Sequence, residues 1–119
     1  MPRHTPSYTG ATVDRRERAE KLALEAERIA KFLAERGATL VLVFGSFARD
    51  EVGAASDLDM IAVMESDLRF IERLDALYRA IRPAVGLDLL VYTPQEFEHM
   101  RERSFVRHAL AEGRVLHAA

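Results

Sequence analysis

The chain has 119 residues, enough for one domain with a single modest core, and its 49% hydrophobic and 30% charged content is an ordinary globular balance. A net charge of −2 excludes a general electrostatic attraction to nucleic acid or anionic membranes, so no direct nucleic-acid binding is expected. Cysteine is absent, which excludes disulfides, a thiol nucleophile and cysteine zinc sites, and no apolar run approaches the ~20 residues that span a bilayer. The N-terminal residues Met1 to Ser7 lack the apolar core of a signal peptide, and together with the missing cysteine this fits a cytoplasmic setting without membrane contact.

Residues 1–12 hold two of the four prolines and show no apolar periodicity, which predicts a flexible tail ahead of one domain over 13–119. Asp14 and Glu17 have capping-box spacing and predict a helix from Asp14 to Arg36. Its apolar stripe is Leu22, Ala26, Ile29 and Leu33, with Ala19, Ala23 and Ala30 beside it, and the charged run Glu17 to Lys21 reads as its exposed face. Gly37 closes this helix. Leu40 to Phe44 and Met60 to Met64 are apolar runs that read as buried strands, the first starting at Thr39 and the second at Leu58. Ser46 to Glu51 predicts a short helical turn whose first amides face a phosphate. Ser66 can cap a helix to Arg82 that buries Phe70, Leu74, Leu77 and Ile81, ended by Pro83. A third strand spans Gly86 to Tyr92. Thr93-Pro94-Gln95-Glu96 then opens a helical region through Phe97, Met100, Phe105 and Leu110, with a break near Arg103 and Ser104. Gly113 ends it, and Arg114 to His117 reads as a short final strand. The order of elements predicts an α/β (α+β) fold, a small mixed sheet with helices packed mainly on one side. The short link between the first two strands favours an antiparallel pair, which brings Ser46 beside Asp57.

The chemistry is concentrated between those two strands. Asp57 and Asp59 share one face of a strand while Leu58 takes the other. Two carboxylates on one face beside a buried strand repel each other and are costly without a cation between them. Gly45 lets backbone approach a ligand closely, and the Ser46 hydroxyl and N–H can both face a phosphate. A phosphate cradle beside metal-holding carboxylates points to phosphoryl-type chemistry. An aspartate near a strand start is often a turn or capping residue, and Asp57 after Ser56 admits that reading. Asp59 does not, because Met60-Ile61-Ala62-Val63 follows it directly. Asp88, the one acidic residue of its apolar run, is likewise flanked by core residues.

Gly45-Ser46 followed, across residues 47–56, by Asp57-x-Asp59 resembles the signature of the nucleotidyltransferase superfamily that includes DNA polymerase beta and kanamycin nucleotidyltransferase. The short length is most similar to the minimal nucleotidyltransferases, commonly encoded beside a HEPN-domain partner as toxin–antitoxin pairs. The resemblance spans residues 38–117, and Asp88 stands where the family has its third carboxylate. It implies a nucleotidyltransferase fold and transfer of AMP, or another nucleoside monophosphate, from a triphosphate such as ATP to a hydroxyl. It implies that Asp57 and Asp59 hold two Mg²⁺ ions, that Asp88 ligates one and helps deprotonate the hydroxyl, and that Gly45 and Ser46 bind the β and γ phosphates. Arg49 matches an arginine common in the family motif, which serves either the triphosphate or a structural ion pair. The glycine usual after that arginine is Asp50 here, followed by Glu51, and Gly53 offers flexibility instead.

The implied acceptor is a HEPN-type toxin that completes a site this short chain leaves open. Two alternatives stay open: an antitoxin that acts by contact without catalysis, and a small-molecule (antibiotic) nucleotidyltransferase. Arg103 and His108 imitate the Arg-x4–6-His motif of HEPN ribonucleases. That motif needs a helical bundle, so a solvated helix face is the better account. His4, His99, His108 and His117 have no zinc-type spacing and read as surface residues.

Overall fold

The structure is a computed structural model that describes the backbone of residues 7–119 and the side chains of residues 14–119. Helix α1 runs Ser7–Glu35 and buries Leu22, Ala26, Ile29, Ala30 and Leu33, the face that a 3.6-residue repeat selects. It begins ahead of the cap expected at Asp14, so Asp14 and Glu17 lie inside the helix on its exposed surface. Acidic residues at that spacing look alike at a helix start and on a helix face. Of the tail expected over 1–12, residues 1–6 lie outside the described residues, and the chain is helical from Ser7. At the other end the Ala38 N–H donates to the Leu33 carbonyl at 2.9 Å and the Gly37 N–H to Ala34 at 3.0 Å. That pair of bonds is a Schellman ending, and it needs the left-handed φ of +98° at Gly37.

The remaining elements are β1 Leu40–Phe44, α2 Gly45–Ala48, β2 Leu58–Val63, α3 Phe70–Ile81, β3 Leu87–Tyr92, α4 Pro94–Met100, α5 Ser104–Glu112 and β4 Arg114–Ala118. They form a four-stranded mixed sheet in the order β3-β2-β1-β4, with β1 antiparallel to both neighbours and β2 parallel to β3. Alternation along the strands splits the core in two. Val41, Val43, Leu58, Met60, Ala62, Leu89 and Val91 face α1 and α3 in the larger cluster. Leu42, Ile61, Val63 and Tyr92 face α4 and α5 through Phe97, Val106 and Ala109. The helices therefore cover both faces, α1, α2 and α3 on one side and α4 and α5 on the other.

Helix α3 starts at Phe70 and not at Ser66, because the Ser66 hydroxyl accepts the Leu68 N–H at 3.1 Å in a turn of its own. Its buried face contains Arg73 as well as Leu77 and Ile81. The Arg73 guanidinium donates to the Val91 carbonyl at 2.7 Å, to Leu68 at 2.9 Å and to both Glu96 oxygens, tying α3 to β3 and α4. Helix α4 has the expected start: the Thr93 hydroxyl accepts the Glu96 N–H at 3.2 Å and the Glu96 carboxylate accepts the Thr93 N–H at 2.9 Å. The expected break falls at residues 101–103, between α4 and α5.

Candidate active site

The sheet register assembles the site. Across the antiparallel pair Phe44 lies opposite Asp59, and across the parallel pair Asp59 lies beside Asp88. Gly45, the next residue after Phe44, therefore packs on the Asp59 carboxylate. A Cβ there would overlap that carboxylate, and the φ of +76° disfavours any side chain. Ser46 sits in the α2 turn with its hydroxyl 3.2 Å from the Ser56 hydroxyl, which also accepts the Gly53 N–H at 2.9 Å. The loop between β1 and β2 is thus folded back so that both of its ends face one place.

Asp59 is half-buried and its pKa is raised. Desolvation is the main cause, the adjacent Asp88 carboxylate the next, and Asp57 adds to it, while Arg49 acts weakly the other way. Asp57 is exposed and turned partly away: its carboxylate meets the Arg18 guanidinium at 3.4 Å and rests against Gly86, where a Cβ would overlap it. Asp59 and Asp88 are brought together, with Asp57 at the rim. Asp88 is held from behind by Tyr78, whose hydroxyl donates to the Leu87 carbonyl at 2.7 Å and accepts the Leu89 N–H at 2.8 Å. Those two backbone groups lie on the free edge of β3 and flank Asp88. Beside the two aspartates is an open hollow lined by Phe44, Leu74, Tyr78, Leu90 and Phe105, with Phe44 and Phe105 packed edge to face at 5.5 Å.

Arg49 stands at the end of α2 with its Nε donating to Glu51 at 2.8 Å and Nη1 to Glu112 of α5 at 3.4 Å. The ion-pair role describes it in this structure. Sequence reasoning missed Arg18, Tyr78 and Gly86. Arg18 belongs to the run taken as a solvated face, Tyr78 looks like an ordinary amphipathic-helix residue, and Gly86 looks like a strand start.

The family profile of the nucleotidyltransferase domain matches residues 26–116, from the middle of α1 into β4. The chain belongs to that family. No curated protein sequence matches it. Among solved structures it is similar to a candidate nucleotidyltransferase from Sulfolobus solfataricus, at 20% identity and a TM-score of 0.61 over 86% of this chain and 85% of that one. A toxin–antitoxin structure with AMP-PNP is similar at 21% identity and a TM-score of 0.52, over 78% of this chain and 73% of that one. A mutant of the MntA–HpeT toxin–antitoxin pair is similar at 20% identity and a TM-score of 0.53, over 79% and 73%. These likenesses concern the fold.

Within a nucleotidyltransferase domain the departure at position 50 has a backbone explanation. Asp50 has φ +58°, the left-handed region that glycine fills most easily and that Asp tolerates better than most residues. Gly53 takes no such conformation, so Asp50 bears the turn itself. Asp50 and Glu51 are both exposed, and Glu51 is neutralised by Arg49.

Among the described residues no three His, Asp or Glu side chains gather as a ready-made metal cage. The pair Asp59–Asp88 nevertheless suits Mg²⁺. That ion takes hard oxygen donors and is usually held by one or two carboxylates, with waters and substrate phosphates completing its shell. Burial first, and then the neighbouring Asp88 carboxylate, raise the Asp59 pKa, and a cation between the two carboxylates would relieve both costs.

Arg103 and His108 are exposed on and before α5, and His108 pairs with Glu112 at 3.1 Å, as a solvated helix face would. His117 departs from the expected surface position: it is half-buried, with Nε2 3.0 Å from the Ala38 carbonyl. No helix among the described residues is long and apolar enough to cross a membrane.

Proposed function

We propose that the chain transfers AMP from ATP to a hydroxyl of a partner protein, a HEPN-type toxin for which it is the antitoxin. The observation that supports this best is the abutting Asp59–Asp88 pair directly beside Gly45 and Ser46. Neighbours in fold that are toxin–antitoxin structures, one of them with AMP-PNP, motivate the partner and the nucleotide. A divalent cation, Mg²⁺ in two ions, would be held by Asp59, Asp88 and Asp57 and would neutralise the polyphosphate.

The chain's own residues divide the work. Gly45 allows the backbone close to the β and γ phosphates, and Ser46 donates to them. Asp88, kept in place through its neighbours by Tyr78, faces the incoming hydroxyl and helps take its proton. The hydroxyl oxygen forms a bond to the α-phosphorus while the bond from that phosphorus to the bridging oxygen breaks, and pyrophosphate leaves with the electron pair. Arg49 supports α5 through Glu112 and adds positive field near Asp59. The open hollow at Phe44 and Phe105 leaves room for the acceptor, since no described residue walls it over. A cysteine-free chain using ATP fits a cytoplasmic site of action.

The test is mass spectrometry of the partner co-expressed with this chain. An adenylate on a partner hydroxyl that disappears with Asp57→Asn/Asp59→Asn supports the reading. An unmodified partner, with fast transfer to a soluble small molecule, sinks it. The second reading, neutralisation by contact alone, is favoured by Asp57 being engaged by Arg18. It requires that the same double variant still protect cells from the toxin.

A further inference from the structure

The phosphate cradle has a wall that the motif does not contain. Helix α1 passes beside the loop between β1 and β2, and Arg18 reaches into it. Its Nε donates to the Ser56 carbonyl at 2.9 Å and its Nη2 to Asp57 at 3.4 Å. The Ser56 hydroxyl is the group 3.2 Å from the Ser46 hydroxyl. One guanidinium thus touches the residue next to the cradle serine and the first motif aspartate together. Its side chain is only 21% exposed, against 42% for Arg49.

Arg18 and Arg49 differ in how firmly they are held. Arg49 is neutralised by Glu51 at 2.8 Å and by Glu112 besides. Arg18 meets one carboxylate, at a long 3.4 Å, and that carboxylate is 54% exposed. Such a contact is weak and exchanges readily. A triphosphate brings several negative charges to the cradle, and a cation on Asp57 removes the charge that holds the guanidinium. Arg–phosphate bonds are charge-assisted and can be bidentate, so they outweigh the contact left behind.

We propose that Arg18 is a polyphosphate-binding residue, which parks on Asp57 in the free protein and turns to the β and γ phosphates when nucleotide binds. It keeps its bond to the Ser56 carbonyl in both states. The inference rests on the nucleotidyltransferase reading and adds a residue that grips the leaving group, a role the motif leaves open for Arg49.

Isothermal titration of the full chain with Mg²⁺ and either AMP-PNP or AMP tests it, because only the first ligand has β and γ phosphates. The wild-type chain should prefer AMP-PNP. Arg18→Ala should weaken AMP-PNP binding by about tenfold to a hundredfold, the range of a charge-assisted hydrogen bond, and leave AMP binding nearly unchanged. Arg18→Gln keeps a donor for Ser56 without the charge; should Arg18→Ala unfold, Arg18→Gln should show the same selective loss. Unchanged AMP-PNP binding in Arg18→Gln, or equal weakening of both ligands, overturns the role of Arg18. A wild-type chain that binds neither nucleotide rejects the underlying reading and this inference with it.

Discussion

Asp59 concentrates the electrostatic strain of the site. Burial and the Asp88 carboxylate raise its pKa, so the free protein binds this proton more tightly folded than unfolded. The stability that goes with it is fully present below the unfolded value near 3.8 and is lost as pH rises through the folded pKa. Asp59→Asn should therefore raise the melting temperature in EDTA at pH 7.5, and the difference should shrink toward pH 4. The same substitution should lower transfer by at least about a hundredfold, as removal of a preorganised charge does. Wild type and variant melting alike at pH 7.5 would count against the charge repulsion. Gly45→Ala forces a Cβ onto the Asp59 carboxylate at a left-handed φ, so it should destabilise by more than about 1 kcal/mol and weaken nucleotide binding. Denaturant melts and nucleotide titrations check the two effects separately.

At the scale of elements, two polar side chains do what apolar packing does elsewhere. Tyr78 satisfies a carbonyl and an N–H on the free edge of β3, on either side of Asp88. Tyr78→Phe should cost about 1 kcal/mol in urea melts and lower transfer more than it lowers nucleotide binding, because it loosens Asp88 and leaves the cradle alone. Arg73 joins α3, β3 and α4, and Arg73→Met should destabilise by about 3 kcal/mol, less whatever water recovers at the partly exposed Glu96. Arg73 holds the Glu96 pKa below its ordinary value, so that pair's stabilisation is present above pH 4.5 and is lost as pH falls below it. Urea melts at pH 7 and pH 4 should show the penalty of Arg73→Met shrinking at the lower pH. Neither role is visible in a hydrophobic pattern. Arg73 sits where periodicity wants an aliphatic residue, and only the contacts of three separate elements explain it.

At the scale of the molecule, the sheet converts separate stretches of sequence into one site. The antiparallel β1–β2 pair and the third strand were legible because apolar runs, Gly37, Pro83 and the Thr93 cap punctuate the chain strongly. The meeting of Gly45, Asp59 and Asp88 was legible because carboxylates and a glycine interrupt runs that belong in a core. Arg18 and Gly86 were not, since their meaning depends on which loop α1 crosses and which carboxylate Gly86 supports. The early start of α1 was hidden by Asp14 and Glu17, whose spacing suits a cap and a helix face equally. Among the described residues nothing walls over the hollow at Phe44 and Phe105, which leaves the proposed acceptor to a partner. The most direct measurement uses ATP labelled on either the α or the γ phosphorus, with Mg²⁺, this chain and its co-expressed partner. The α-label should be bound to the partner and the γ-label released as pyrophosphate, and both should be lost with Asp59→Asn or Asp88→Asn. Label transferred undiminished by those variants, or γ-label retained on the partner, would contradict it.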